Sequence, residues 1–370
     1  MDYQSHIVQG KHRKIPVGKI VSYVVFTIWI FLTVFPLVWM TWSSFKTNEE
    51  LTLDSMSFPR ELFDNINDEY IVIKQELNIM PDYDPADTRP RLIIESAVIG
   101  YSRRMMLWYP LKEELPPELA NLKPGDGLRL NQLPPHIQSQ ISWLTIWYNF
   151  TQSFMRGGLA AKALNSLMYS VLGSMSIVLL SLMMGFGLSK MKFRRLSGVI
   201  NATVGFGYLI NITSVIIPLY LLMSAVGLTD THVGVILVYT AFGLPMAVML
   251  TTQFIRGLPD SLVESAFIDG AGTMRTFFQI IVPMSIPVAA TIAIFNVLGI
   301  WNEFLLVLIV ASTEGTKSLP VGVYSFSGLT STQLGWQLAA MFMALLPVVI
   351  FYFVFNKQIA KGVVGGAIKG

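Results

Sequence analysis

Residues 264–283 read ESAFIDGAGTMRTFFQIIVP. Glu264, Asp269 and Arg275, with Arg256 and Asp260 just upstream, are too many charges for a bilayer core. Phe267, Ile268, Phe277, Phe278, Ile280 and Ile281 are too many apolar side chains for a solvated loop. Pro259 starts a helix, and Ser261 with Glu264 three residues on has the spacing of a capping box. Leu262, Val263, Ala266 and Phe267 form one apolar face, with Glu264 and Ile268 near its edges. Gly270 and Gly272 supply the positive φ that ends or turns a helix, and Thr273 caps a second helix that runs through Phe277 and Phe278 to Pro283. The reading is an amphipathic helix, a glycine break and a re-entry into apolar surroundings.

The flanks supply those surroundings. Of the 370 residues 53% are hydrophobic and only 13% charged, about half the charge of a soluble domain. A crossing helix needs about 20 apolar residues. Six stretches qualify: 20–45, 163–189, a third between Leu196 and Thr229, 231–255, 276–302 running past Glu303 to about Ser312, and one within 332–356. The fold expected is an all-α membrane protein with six transmembrane helices. Its parts are an N-terminal segment 1–19, span one at 20–45, an insertion at 46–162, a core at 163–356 with the water-side loop 256–283, and a tail at 357–370.

Basic residues in short connections orient the chain. Lys11, Arg13, Lys14 and Lys19 precede span one; Lys190, Lys192, Arg194 and Arg195 follow span two; Lys357, Lys361 and Lys369 lie in the tail. With six spans all three groups share the cytoplasmic side with 264–283, and the insertion is extracytoplasmic. In the insertion, YIVIK (70–74) and RLIIES (91–96) are strand-like, and PDYDPADTRP (81–90) and LKPGDGLRLNQLPP (122–135) are turn-rich breaks. It reads as a small α+β lobe packed on the outer face, a docking surface for an extracytoplasmic partner, or both.

The absence of cysteine excludes disulfides and thiolate metal sites, and the four histidines (His6, His12, His136, His232) form no ligand pair. No catalytic constellation, cofactor site or metal site is expected, and no phosphate-binding G-x-x-x-x-G-K-[ST] loop occurs. Glu303 is the acid deepest in a span. It is a functional candidate or a solvated or paired residue at the span's outer end. With Asn296, Trp301 and Asn302 it could line a sugar path, aromatic faces stacking on rings and amides meeting hydroxyls. Pro218, Pro245, Pro287 and Pro347 are read as kinks within spans, and the glycines of MMGFGLS (183–189) as sites of close helix packing.

E-A-A, three residues, G, nine residues, I-x-L-P is the pattern of importer-type ABC transporter permeases. Glu264, Ser265, Ala266, Gly270, Ile280, Val282 and Pro283 stand in its register, with Ser265 in place of an Ala and Val282 in place of Leu. IDGAG (268–272), FPLVWMTWSSFKTNEEL (35–51), ALNSLMYS (163–170), WNEF (301–304) and QIAKGVVGGAIKG (358–370) resemble the carbohydrate-uptake, MalG-like branch. The resemblance covers about 20–57 and 143–370. It implies an ATPase-coupling segment at Glu264, Ser265, Ala266, Asp269, Gly270, Ala271, Gly272 and Pro283. It further implies a second, MalF-like permease, two cytoplasmic ATPase subunits that bind the ATP and Mg, and an extracytoplasmic solute-binding protein; a nucleic-acid partner is not expected. A permease for a polyol or a glycerol phosphate-like solute is the nearest rival. A stand-alone secondary transporter would need a proton or ion relay that the single acid Glu303 does not supply, and an adhesion or signalling protein built on the insertion would not need a coupling motif.

Overall fold

The computed structural model describes residues 17–59, 70–74, 91–98, 101–108, 127–129, 135, 146–191, 194–328 and 333–367. Helix α1 (Val17–Ser43) is apolar on every side, and residues such as Trp29, Phe31 and Leu32 are more than half exposed. At 1.5 Å per residue its length exceeds the roughly 30 Å of a bilayer's hydrocarbon, so lipid or another chain must cover what this chain leaves open. Thr47 and Glu50 then make a capping box, each 3.1 Å bond satisfying one free amide, and start α2 (Asn48–Leu53).

Four antiparallel strands follow: β1 (Tyr70–Lys74), β2 (Arg91–Val98), β3 (Tyr101–Trp108) and β4 (Gly127–Arg129), in sheet order β3-β2-β1-β4. YIVIK and RLIIES thus form β1 and the start of β2, paired with Ile73 opposite Ile94. The break expected at 122–135 contains β4, paired with β1. The other break, at 81–90, lies outside the described residues, as do residues 1–16 of the N-terminal segment and the last three residues of the tail; residues 17–19 already belong to α1.

The core begins with α3 (Tyr148–Arg156) and α4 (Leu159–Lys190). Next come α5 (Arg194–Leu209), α6 (Ile212–Ala225) and α7 (His232–Arg256). The segment after α7 holds α8 (Ser261–Ile268), α9 (Thr273–Thr276), a π-helical turn (Phe277–Ile281) and α10 (Val282–Met284). The chain closes with α11 (Ile286–Asn302), α12 (Leu305–Val310), α13 (Leu319–Tyr324) and α14 (Leu334–Ala367).

Among the described residues four helices, α1, α4, α7 and α14, are long and apolar enough to cross a membrane. Two bent pairs bring the number to six if each counts as one crossing: α5 with α6 turns by 104°, and α9–α10 with α11 by 74°. The third stretch is therefore not a straight span. Asn211 explains the break, because its side chain accepts the Thr213 amide at 3.0 Å and caps α6 as a new helix. The fifth stretch does not run unbroken to Ser312 either; it bends at Ser285, breaks at Glu303 and ends its last helix at Val310. Pro287 stands in the first turn of α11, where its missing N–H costs nothing, so it starts a helix where a kink was expected.

Helices α4, α7 and α11 share one buried core around Tyr169, Ile177, Val238, Tyr239, Ala247 and Ile292. Small residues bring α4 and α7 together: a Cβ on Gly185 would lie 2.6 Å from Thr251 Oγ1. Gly187, also expected at a close contact, has open space around it.

Candidate functional site: the coupling segment and the opposite end of the bundle

Pro259 starts the turn earlier than its sequence spacing implies. The Leu262 amide bonds Pro259 O at 3.3 Å and the Val263 amide bonds Asp260 O at 3.0 Å. Ser261 is thereby the first residue inside α8, and no capping box forms with Glu264; Asp260 holds the cap position with no side-chain cap bond. The exit follows the reading at Gly270, whose φ is +78°. The Ala271 amide bonds Ala266 O at 2.9 Å and the Gly270 amide bonds Phe267 O at 3.1 Å, the paired bonds of a Schellman motif. Gly272 has φ −73° and does not need glycine's freedom; it caps α9, and Thr273 is that helix's first residue. The role expected of Thr273 falls to its neighbour because the chain is already extended at Gly272.

The expected apolar face divides in two. Val263 and Ala266 are buried, and Val263 packs with Leu182, Phe186, Ile255, Phe277 and Ile281. Phe267, Ile268, Met274 and Phe278 remain 48–84% exposed. Glu264, Ser265, Asp269 and Pro283 are exposed as well, while Ala271 is half-buried. The segment is thus seated on the bundle by one side and presents a mixed apolar and acidic side to whatever lies outside the chain.

Sequence spacing gave no sign of the contact at the start of α8. Lys190, the last residue of α4, places Nζ 2.6 Å from Asp260 Oδ1 and 2.5 Å from Leu258 O, its side chain only 4% exposed.

The pathway candidates are not gathered into one polar face. Glu303 accepts the Tyr239 hydroxyl at 3.0 Å and the Leu306 amide at 2.9 Å, so it holds the break between α11 and α12 against α7. Trp301 turns its indole toward Ala344 O of α14 at 3.4 Å. Asn296 bonds Ile292 O within its own helix and sits beside Gly243. Asn302 is the exposed one of the four.

At the opposite end of the bundle, Asp230 (φ 57°) ties two loops. Its Oδ1 accepts the Ser312 and Thr313 amides at 2.9 and 3.0 Å and the Thr316 hydroxyl, while its own amide bonds Val310 O. The Thr313 amide first, then the Thr316 hydroxyl, hold the Asp230 carboxyl below its usual range. Tyr169 Oη donates to Thr316 O at 2.8 Å and meets His232 Nδ1 at 2.8 Å. Asn165 bonds Gly315 O and Lys317 O, and Lys162 pairs with Glu314 at 2.7 Å. The Lys162 ammonium first, then Lys317, hold the Glu314 carboxyl below its usual range.

A bundle of apolar helices broken at polar caps, with a half-seated amphipathic segment between two of them, is a multi-pass membrane protein. The chain belongs to the family of binding-protein-dependent transport system inner membrane components, whose model matches residues 177–364. It is 33% identical over 225 residues to the diacetylchitobiose uptake system permease protein NgcG of Streptomyces coelicolor, covering 60% of this chain and 74% of that one. Over 281 residues it is 28% identical to the trehalose transport system permease protein SugB of Mycobacterium tuberculosis, covering 75% and 96%. The melibiose/raffinose/stachyose import permease protein MelC of Bacillus subtilis is 28% identical over 225 residues, covering 60% and 81%. A chain of a bacterial ABC transporter involved in import of the acidic polysaccharide alginate has the same fold, with a TM-score of 0.59 over 96% of this chain and 99% of that one at 15% identity. The sequence resemblance to carbohydrate-uptake permeases is therefore shared by named relatives.

Proposed function

We propose that this chain is one transmembrane subunit of an ATP-driven, binding-protein-dependent importer of a sugar or oligosaccharide. The observation that carries the coupling assignment is the divided face of α8. Val263 and Ala266 fix the helix on its own bundle, while Phe267 and Ile268 stay 48% and 84% exposed beside Glu264 and Asp269. Helices that lie in lipid favour Lys and Arg on the polar face; this one offers acids, which suits a groove on a cytoplasmic protein. The partner in that groove is an ATPase subunit, which binds the ATP and Mg. Closure of two such subunits displaces α8 and rocks the spans from inward- to outward-facing.

The remaining parts follow from this reading. Each bent pair is one crossing, giving six, with both termini and α8 cytoplasmic, as the basic residues of the short connections favour. A second permease covers the open sides of α1, and the tail reaches the ATPases. An extracytoplasmic binding protein delivers the solute, and the insertion carrying β1–β4 helps to dock it. The sugar assignment is supported by the names of the relatives. Among the four pathway candidates we assign the hydroxyl contact to Asn302, because it is the exposed one, while Glu303 shapes the broken span.

The test is a Phe267→Glu, Ile268→Glu double variant of the tagged chain, purified with its complex. Loss of the ATPase subunits, with the second permease still bound, is the expected result. A variant that retains ATPase subunits in the parent's ratio refutes the docking assignment.

A further inference from the structure

Aspartate is among the best helix caps because its carboxylate can satisfy a free amide of the first turn. Asp260 occupies the cap position of α8 with φ −67° and ψ −28° and makes no such bond. Its Oδ1 instead takes the Lys190 ammonium at 2.6 Å, across 70 residues of sequence. Lys190 closes α4, its side chain is 4% exposed, and its second bond goes to Leu258 O just ahead of α8. A charge-assisted pair with one buried member is held more firmly than an ordinary surface ion pair.

The neighbouring contacts extend this tie. Thr251 Oγ1 of α7 donates to Ser181 O of α4 at 2.8 Å, Ser189 Oγ donates to Thr252 O at 3.2 Å, and Gly185 leaves no room between the two helices. Upstream of its start, then, α8 is continuous with the cytoplasmic ends of α4 and α7. Downstream, Gly270 at φ +78°, the π-helical turn 277–281 and the 74° bend before α11 redirect the chain, and the π-helical turn is itself buried against α4 through Phe277 and Ile281.

We infer that Lys190 is a positioning residue of the transport stroke: through Asp260 and Leu258 it joins the start of α8 to α4, and through the α4–α7 contacts to α7, so that a displacement of α8 is passed to those two helices. This rests on α8 being the ATPase-docking element.

The experiment uses the complete complex, purified through this chain in lipid nanodiscs with its binding protein, and trapped with Mg·ATP and orthovanadate. Hydrogen exchange is followed by mass spectrometry at residues 181–190, 248–256 and 261–269. In the parent all three stretches change exchange on trapping. Lys190→Met should keep the ATPase subunits and the response at 261–269, while the response at 181–190 shrinks about tenfold, the worth of one charge-assisted hydrogen bond. Lys190→Arg, which keeps the charge, should retain it, and the exchanged pair Lys190→Asp with Asp260→Lys should recover part of it. A Lys190→Met complex in which 181–190 still responds like the parent overturns the inference. So does one that loses the response at 261–269, because the tie then only shapes α8. A parent that shows no response at 261–269 refutes the docking assignment itself, a separate failure.

Discussion

Two glycines in the proposed coupling segment separate a conformational requirement from a contact requirement. Gly270 has φ +78° and nothing within 4 Å of a built Cβ, so Gly270→Ala meets strain and no clash. Left-handed backbone costs a non-glycine residue about 1–2 kcal/mol, less roughly 0.5 kcal/mol regained from a stiffer unfolded chain. The net of about 1 kcal/mol corresponds to a roughly fivefold increase in local opening. The bond that reports it is the Ala271 amide to Ala266 O, 2.9 Å in the closed Schellman turn. Its hydrogen exchange should therefore rise about fivefold in Gly270→Ala and less in Gly270→Asn, because asparagine tolerates this backbone better. Gly272 has an ordinary φ of −73° and equally open surroundings, so Gly272→Ala should exchange at the parent rate or below it. Stimulated ATP hydrolysis gives the second reading. If Gly272→Ala keeps a protected turn yet loses stimulation, the partner needs the space at that position. Parent-like exchange at Ala271 in Gly270→Ala, or equal acceleration in both variants, would show that the turn is not held as argued.

Gly185→Ala forces a Cβ to 2.6 Å from Thr251 Oγ1 and 3.1 Å from the Thr251 carbonyl carbon, so the α4–α7 contact should loosen by about 1–3 kcal/mol; thermal unfolding of the purified complex at an unchanged temperature would contradict this. Asp230 and Glu314 have folded pKa values below their ordinary 3.8 and 4.5, so the loop clamp is at full strength above those values and weakens as pH falls through the depressed ones. Exchange at 311–318 should rise across that acid range, and Asp230→Asn, which cannot titrate, should flatten its part of the profile. In a chain without cysteine, Gly315→Cys should react with an impermeant maleimide on intact cells and Gly272→Cys only after the membrane is opened; the reverse pattern would invert the orientation. Deleting 60–140 behind a short Gly/Ser joint should preserve basal ATP hydrolysis by the complex and weaken its stimulation by the loaded binding protein, and an unchanged response would leave the insertion without a docking role.

The crossings were legible because bilayer thickness demands long uncharged runs, and the coupling segment because its charges interrupt them. The breaks inside the crossings were not. Asn211 is one polar residue in an apolar stretch, and nothing local distinguishes a helix cap from an inward-facing amide there. The cap of α8 was misplaced by one residue because Pro259 lets the turn begin on its own carbonyl, a choice that the S-x-x-E spacing does not encode. Gly270 could be read, since a glycine after an apolar helical run commonly takes the positive φ. Contacts between distant positions carried no local signal at all: Lys190 with Asp260, Tyr239 with Glu303, and Asp230 with Thr316 pair residues at least 64 positions apart. Strand β3 was also missed. YSRRMMLW carries two adjacent arginines and no β-branched residue, and it is a strand because β2 offers it an edge along its full length.

The insertion is joined to the permease by the same kind of tie as the coupling segment. Asn149 donates to Ser44 O at 2.8 Å and to Lys46 O at 2.6 Å, so the two ends of the insertion are held together at its base. Asn48 then bonds the Gln333 side chain and the Gly335 amide, which brings that base to the start of α14. Gly335 has no space for a side chain, since a Cβ would lie 2.7 Å from Lys46 O. Lys46, fully buried, places its ammonium on Asp54 O, Ser55 O and Ser57 Oγ at 3.1 Å each and ties the turn after α2 to the same base. The base of the insertion therefore has a short, hydrogen-bonded route into the last helix, whereas the start of α8 has one into α4. The two routes enter different helices from opposite ends of the bundle. On the function proposed above, such an arrangement lets a solute-loaded protein at one end and an ATPase at the other act on a single set of spans without touching each other.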